Sequence, residues 1–198
     1  MRLIFNHPKI NNKKEEKGLS LIESAMVLAL AATVTAGVMF YYQSASDSNK
    51  TQSAISEVMS ATSAINGLYI GQGGYDGLSA TVLKNSSAIP ENYKNGEKIM
   101  NPFGGELKVG AAAAADKGFG YYIALENLPK SACISLATLN LGTSAAGYGV
   151  MTTSDLANTQ LANNTSSGMK TTPISPSEAA TMCSNNGSTN KVVAYFMK

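Results

Sequence analysis

Residues 18–45 read GLSLIESAMVLALAATVTAGVMFYYQSA, and this stretch decides the fold. From Ser24 onward it carries no charged side chain until Asp47, and it contains no proline. A helix needs about 20 apolar residues to cross a hydrocarbon core of roughly 30 Å. Alanine, leucine and methionine are good helix formers. The stretch therefore predicts an apolar helix that is long enough to span a membrane.

Two features at the start of this stretch are unusual. Glu23 places a carboxylate at the beginning of the apolar run, and Gly18 precedes the run after a lysine-rich leader. In an ordinary secretory signal, the small-residue cleavage site follows the apolar segment. Here the candidate cleavage site, between Gly18 and Leu19, precedes that segment. A cut there leaves the apolar helix on the product.

The leader, Gly18, the segment LSLIE and the apolar helix together resemble the N-terminus of a type IV prepilin. A leucine at the first mature position and a long leader indicate the type IVb group. Five segments resemble type IVb pilins along the chain; they read SLIESAMVLALAATVTAGVMFYYQSASDSNK, AISEVMSATSAINGLYIG, NPFGGELKVG, ISLATLNLGTSAAGYGV and YFMK. The resemblance thus runs from about Gly18 to the C-terminus.

For the N-terminus, the resemblance implies processing by a prepilin peptidase. The peptidase would cut between Gly18 and Leu19 and would N-methylate Leu19. In type IV pilins, the glutamate at the position of Glu23 pairs with the N-terminal amine of a neighbouring subunit during assembly. The sequence also allows a local role, because the spacing Ser20-x-x-Glu23 fits a helix capping box. One carboxylate can serve both purposes.

The two cysteines, Cys133 and Cys183, follow the membrane-spanning stretch. An oxidising compartment favours their pairing. By resemblance, a Cys133–Cys183 disulfide would bound the variable C-terminal region of a pilin. Two free buried thiols are the alternative.

The predicted fold is α+β, a pilin fold with one long helix from 19 to about 66 on an antiparallel sheet. We divide the chain into a cleaved leader at 1–18, a hydrophobic half of the helix at 19–46 and a globular domain at 47–198. The second half of the helix is predicted to be amphipathic, with Glu57 off its apolar face. That face comprises Ile55, Val58, Met59, Thr62, Ile65 and Leu68.

The remaining elements follow from residue preference and punctuation. Strands are predicted at 106–109, 119–128, 148–152 and 191–197, because these runs are rich in branched and aromatic residues. A short helix or turn is predicted at 78–85, and short helices are predicted from Pro129 as the first helical residue and from Ser175 to about Cys183. The spacing Ser175-x-x-Glu178 fits a capping box at the start of the last helix. The segments 71–77, 90–102 and 153–172 are predicted as a glycine-rich loop, an irregular connection and a polar surface loop.

Charge and composition argue against several classes of function. The formal net charge of the full sequence is +2, but residues 1–18 hold five of the fifteen basic residues. The rest has ten lysines and eleven acids, and it shows no basic cluster of the kind that binds nucleic acid. The one histidine, His7, lies in the leader. We therefore predict no catalytic residues, no metal site and no cofactor.

The resemblance implies a major structural subunit that polymerises with copies of itself into an extracellular filament for cell–cell aggregation and host adherence. Lysines before the apolar run place the leader in the cytoplasm, so the subunit would wait in the inner membrane. Its other partners would be the prepilin peptidase and the pilus assembly machinery. Two alternatives stay open at this point. One is a minor pilin or a type II secretion pseudopilin, and the other is a membrane-anchored binding domain that never polymerises.

Overall fold

The computed structural model describes residues 20–151, 155–162, 168–184 and 191–198. The chain divides into two compact units, of which the first ends at Gln43 and the second runs from Ser44 to Lys198. The described part of the first unit is the apolar half of a helix. Within the described residues, the second unit holds the other half of that helix, a sheet and three shorter α-helices.

The long helix, α1, is Leu21–Leu68. Hydroxyl groups along it donate to carbonyls one turn back, as Thr35 does to the carbonyl of Ala31 at 2.7 Å. Such bonds let serine and threonine sit inside a helix without leaving a polar group unpaired. A positive φ of 80° at Gly71 follows the helix and permits the chain to turn away. The predicted C-terminal boundary agrees with the observed one to within about two residues.

Seven antiparallel strands form one sheet in the order β1-β2-β3-β4-β7-β5-β6. Their bounds are β1 Lys94–Asn95, β2 Lys98–Met100, β3 Glu106–Ala111, β4 Tyr121–Leu128, β5 Ala145–Met151, β6 Met169–Lys170 and β7 Lys191–Met197. The last strand of the chain therefore lies in the interior of the sheet. Strand β7 joins the group β1–β4 to the pair β5–β6, because it pairs with β4 on one edge and β5 on the other.

The sequence of β7 reflects burial on both faces of the sheet. Val193, Tyr195 and Met197 belong to the main core, while Ala194 and Phe196 belong to a second apolar cluster on the opposite face. Successive side chains of a strand point to opposite faces, so a strand covered on both sides is apolar throughout. The predicted strands at 106–109, 119–128, 148–152 and 191–197 are confirmed, with ends shifted by a few residues.

The main core lies between the sheet and the helices α1, α2 (Ala80–Lys84), α3 (Lys130–Ala137) and α4 (Pro176–Ser184). From α1 it takes Ala54, Val58, Ala61 and Ile65, all without exposed surface. The amphipathic pattern of this half is confirmed, but the predicted face was wrong at its edges.

Met59 and Leu68 are largely exposed, and Glu57, which was predicted off the apolar face, is buried. The buried residues recur at intervals of four, three and four, which centres the contact on a stripe that includes two alanines. The prediction was centred on large apolar side chains, so it placed the face to one side of the stripe that is buried. Small residues at a contact let a helix approach its partner closely.

Two predicted irregular segments contain structure. Within the predicted connection at 90–102, β1 and β2 form a hairpin in which Gly96 has a φ of 58°. Within the predicted loop at 153–172, Leu156 and Met169 are buried in the second apolar cluster. The cluster covers the outer face of β7, a non-local contact that the polar composition of the segment did not reveal. Residues 152–154 and 163–167 of this region lie outside the described residues.

The short helices appear close to where they were predicted. Pro129 is the residue before α3 rather than its first residue, with an extended ψ of 156°. Ser175 and Pro176 begin α4 as predicted, with proline at the first helical position.

Candidate functional site

The apolar half of α1 exposes its large side chains on every side. The exposed fraction ranges from 62% to 84% for Leu21, Ile22, Met26, Val27, Leu28, Leu30, Val34, Val38, Met39, Phe40, Tyr41 and Tyr42. The helix has an 18-residue window with a mean hydropathy of 1.8, so it can cross a membrane by length and composition. A helix that is apolar all round requires an apolar environment all round. Lipid or the helices of other molecules can supply that environment.

Glu23 lies at the start of this half and caps the helix. The backbone N–H of Ser20 donates to Oε2 of Glu23 at 3.0 Å, which is one arm of the predicted capping box. The side chain is exposed within the subunit. An ionised carboxylate accepts several hydrogen bonds, so the cap leaves capacity for a cationic partner from another molecule.

The predicted cleavage and methylation sites, Gly18 and Leu19, lie outside the described residues. The described chain begins at Ser20, immediately after the predicted first mature residue. The cleavage between Gly18 and Leu19 and the methylation of Leu19 therefore stay predictions.

Cys133 on α3 and Cys183 on α4 form a disulfide, with a sequence separation of 50 residues. Both cysteines are buried in the main core. The crosslink ties two helices on the same side of the sheet. The chain between them contains β5 and β6. The disulfide therefore bounds a C-terminal region, as the resemblance to pilins implied.

The N-terminus of α4 carries a second capping box, together with an ion pair. The N–H of Ser175 donates to Oε2 of Glu178 at 3.0 Å, and the N–H of Glu178 donates to the Ser175 hydroxyl at 3.4 Å. Lys170 on β6 pairs with the same carboxylate at 2.9 Å. The backbone bond from Ser175, followed by the bond from Lys170, lowers the pKa of Glu178 to about 2. Glu178 thus links α4 to the edge strand of the sheet.

Two tyrosines connect helices to the central strands. The hydroxyl of Tyr195 donates to the carbonyl of Leu136 on α3 at 2.6 Å, and the hydroxyl of Tyr121 donates to Oδ1 of Asn66 on α1 at 3.2 Å. Burial raises the pKa of both phenols above the usual value. Both side chains therefore act as neutral donors, and Tyr195 satisfies a buried backbone carbonyl.

The described residues do not assemble a catalytic or metal centre. Within them, no group of three or more histidine, cysteine, aspartate or glutamate residues lies close enough to hold a metal ion. An open groove beside α1 is lined by Ser60, Ser63, Ala64, Gly67, Leu68, Ser86, Ser87 and Ala88. No side chain in that lining can act as a general base at neutral pH. The exposed apolar half of α1 is the feature that requires a binding partner, because it needs an apolar environment.

Comparison with known proteins identifies the family. A family model described as Bundlin matches residues 43–198. The chain belongs to the bundlin family. Two relatives are each 68% identical over 192 residues, which is 96% of this chain and 98% of theirs. Both are described as "Major structural subunit of bundle-forming pilus", one from Escherichia coli O111:H- and one from Escherichia coli O127:H6 (strain E2348/69 / EPEC).

The type IVb pilin of Salmonella typhi has the same fold at 14% identity. Its crystal structure aligns with a TM-score of 0.52 and covers 76% of this chain and 99% of its own. The bundlin family model starts at residue 43, close to the boundary between the two units. The two Escherichia coli relatives extend the match over the apolar half as well, since they cover 96% of the chain. The α+β pilin fold that the sequence predicted is thereby confirmed.

Sequence reasoning missed the burial of Glu57. Its exposed fraction is 5%. The signal that could have revealed it is the pair of alanines, Ala54 and Ala61, three residues before and four residues after it. Alanines at helical spacing mark a face that approaches its partner closely, and Glu57 lies on the edge of that face.

Proposed function

We propose that this bundlin-family chain is the major structural subunit of a type IVb pilus. It polymerises through its N-terminal helix into an extracellular filament that serves cell–cell aggregation and host adherence. The single observation that supports this most is the apolar half of α1. Twelve large apolar side chains there are exposed, and they continue into a domain of the bundlin family.

The energetic demand of that half supports polymerisation. Burying a large aliphatic or aromatic side chain contributes about 1.5–3 kcal/mol. Copies of the same helix, packed side by side, cover these side chains once the subunit leaves the lipid. The relatives at 68% identity are named as filament subunits over almost the full length of the chain.

The proposed maturation begins with cleavage between Gly18 and Leu19 and methylation of Leu19 by a prepilin peptidase. The subunit then waits in the inner membrane as a single-pass protein with residues 19–46 in the bilayer. The domain at 47–198 lies outside the cytoplasm, where an oxidising environment permits the Cys133–Cys183 bond. The pilus assembly machinery next transfers the subunit to the filament base.

In this scheme, Glu23 pairs with the amine of Leu19 on a neighbouring subunit. Methylation of an amine preserves its positive charge, so the pair is still an ion pair. Apolar helices around it make an unpaired charge costly. The pairing therefore favours a single axial register between adjacent helices.

Filaments sheared from the cell surface test the proposal. We expect this chain to be their main component, with Leu19 as a methylated N-terminus by mass spectrometry. A cryo-EM map of the same filaments should place the apolar half of α1 in the filament core. Filaments composed mainly of another subunit would instead identify this chain as a minor pilin or pseudopilin. Retention of residues 1–18 on surface protein would contradict the processing step.

A further inference from the structure

Glu57 is a carboxylic acid enclosed by the domain without a partner. It lies on α1 beside the buried residues Ala54, Val58 and Ala61. Only 5% of its surface is exposed, and neither Oε1 nor Oε2 has a hydrogen-bond partner among the residues that the structure describes. Buried carboxyl groups in native proteins are usually paired or hydrogen-bonded. An exception of this kind calls for an explanation.

The ionisable groups that share the core with α1 are phenols. Tyr121 on β4, Tyr148 on β5 and Tyr195 on β7 belong to the main core, and their hydroxyls bond to Asn66, Asn140 and the Leu136 carbonyl. Cys133 and Cys183 are joined to each other and do not titrate. These groups carry no positive charge that could compensate an ionised Glu57.

Most lysines on the elements around the core have an acidic partner of their own, and Lys130, at the start of α3, is exposed to solvent. Lys84, Lys98, Lys108 and Lys170 on α2, β2, β3 and β6 each pair with a different glutamate. Lys191 on β7 is buried and has an interaction of its own. On α1 itself, Asp47 and Lys50 lie about three turns and about two turns before Glu57. Burial alone raises the pKa of Glu57 from its ordinary value of 4.5 to about 8.

We propose that Glu57 acts as a proton-dependent latch, by which we mean that its neutral form allows the second half of α1 to pack against the sheet. Ionisation of Glu57 weakens that packing. The reason is the difference in solvation between the two forms. A neutral carboxyl group loses modest hydration on burial, whereas an ionised one loses far more and finds no compensating partner. The latch acts within the domain and does not depend on the proposed filament.

The direction of the pH effect follows from linkage. Because the folded chain holds the proton of Glu57 up to about pH 8 and the unfolded chain releases it near 4.5, the contribution of Glu57 to folding is most favourable below pH 4.5. Between these values the unfolded state binds fewer protons than the folded state, so stability falls as pH rises. Each pH unit in that window should raise the unfolding equilibrium constant by about tenfold. The dependence should level off above the folded pKa.

The test is urea unfolding of the full mature chain in detergent micelles, from pH 5 to pH 9. We compare the wild-type protein with Glu57→Gln, which keeps the size and removes the titration. The wild-type unfolding constant should rise steeply from pH 5 to 8 relative to that of the variant. Asp47→Asn is the matched control, because it removes from the same helix a carboxylate that is only partly buried. Its profile should follow the wild type.

Glu57→Met serves as a second variant if the glutamine protein does not fold. It fills the same space without a polar group and should be more stable than the wild type at pH 8. Direct titration is available from ¹³C NMR of glutamate carboxyl carbons. One resonance should titrate far above the others in the wild type and be absent from Glu57→Gln.

Two results would overturn the proposal. One is a wild-type unfolding constant whose pH dependence matches that of both Glu57 variants. The other is an NMR spectrum in which every glutamate titrates below about pH 6. Either result would mean that Glu57 is ionised in the folded protein and has found a cation or water.

Discussion

The two halves of α1 are one continuous helix with opposite relations to solvent. In the first half, large apolar side chains are exposed around the whole circumference. In the second half, one stripe that runs through Val58 and Ile65 is buried against the sheet, and most of the remaining positions face solvent. The first half has the more apolar sequence and yet is the less buried.

This contrast shows that burial follows from available partners rather than from composition alone. The second half finds its partner in its own chain, because the sheet offers an apolar face. The first half belongs to a unit whose described residues contain no second element. In the proposed function its partners are lipid and copies of the same helix, and substitutions in the two halves should therefore be detected by different experiments.

The largest expected effect is on assembly and comes from Glu23→Val. In the proposed filament Glu23 pairs with the amine of Leu19, and removing one member of a buried ion pair costs about 3–5 kcal/mol, so filaments should be few or absent. The domain should stay folded, with Cys133 and Cys183 joined. Electron microscopy of cells beside immunoblots of membrane fractions measures both properties.

Glu23→Gln separates the ion pair from the cap. Glutamine can still accept the hydrogen bond of the Ser20 amide, since capping boxes use either residue. Loss of filaments in both variants would assign Glu23 to assembly. Normal filaments from Glu23→Gln would leave it as a cap, a role typically worth about 0.5–2 kcal/mol.

The next largest effect is on the domain and comes from Cys133→Ser. Closing a loop with a sequence separation of 50 residues should contribute about 4 kcal/mol in the chain-entropy model. Subunit abundance should fall, because a destabilised chain is exposed to proteases. Urea unfolding in micelles measures the loss. Cys183→Ser should match it, and thiol labelling of both cysteines in denatured, non-reduced wild type would contradict the bond.

A matched pair of truncations tests the contrast between the halves directly. Ile65→Ala in the second half should destabilise the isolated subunit by about 2–5 kcal/mol, because the side chain is fully buried. Leu30→Ala in the first half should stay within about 0.5 kcal/mol of the wild type. Its effect should appear in filament stability instead. Equal losses in the isolated subunit would show that the first half is buried there as well.

The smallest effect is expected at the second capping box. Glu178 has the same spacing from Ser175 as Glu23 has from Ser20, so Glu178→Val is a control for the loss of a cap, which here also removes the ion pair with Lys170. Filaments should form normally. The lowered pKa of Glu178, about 2, means that its stabilisation is present above pH 4.5 and is lost as pH falls toward 2. Acid unfolding curves should therefore differ between wild type and variant above pH 4.5 and converge toward pH 2.

The sequence by itself determined the features that depend on neighbouring residues. Composition and spacing within a few turns or one strand predict the apolar half of α1, both capping boxes and the apolar strand β7. The long apolar run could be recognised because nothing within it is charged between Glu23 and Asp47. Local spacing also predicted which half of α1 would be amphipathic.

Tertiary structure decided which side of each element meets a partner. The insertion of β7 between β4 and β5 joins segments far apart in the chain, and no local pattern specifies that order. The burial of Glu57 and of Leu156 depends on surfaces that exist only after the sheet has formed. The physical reason is that periodicity fixes which residues share a face, whereas the close approach of another element fixes which face loses its water.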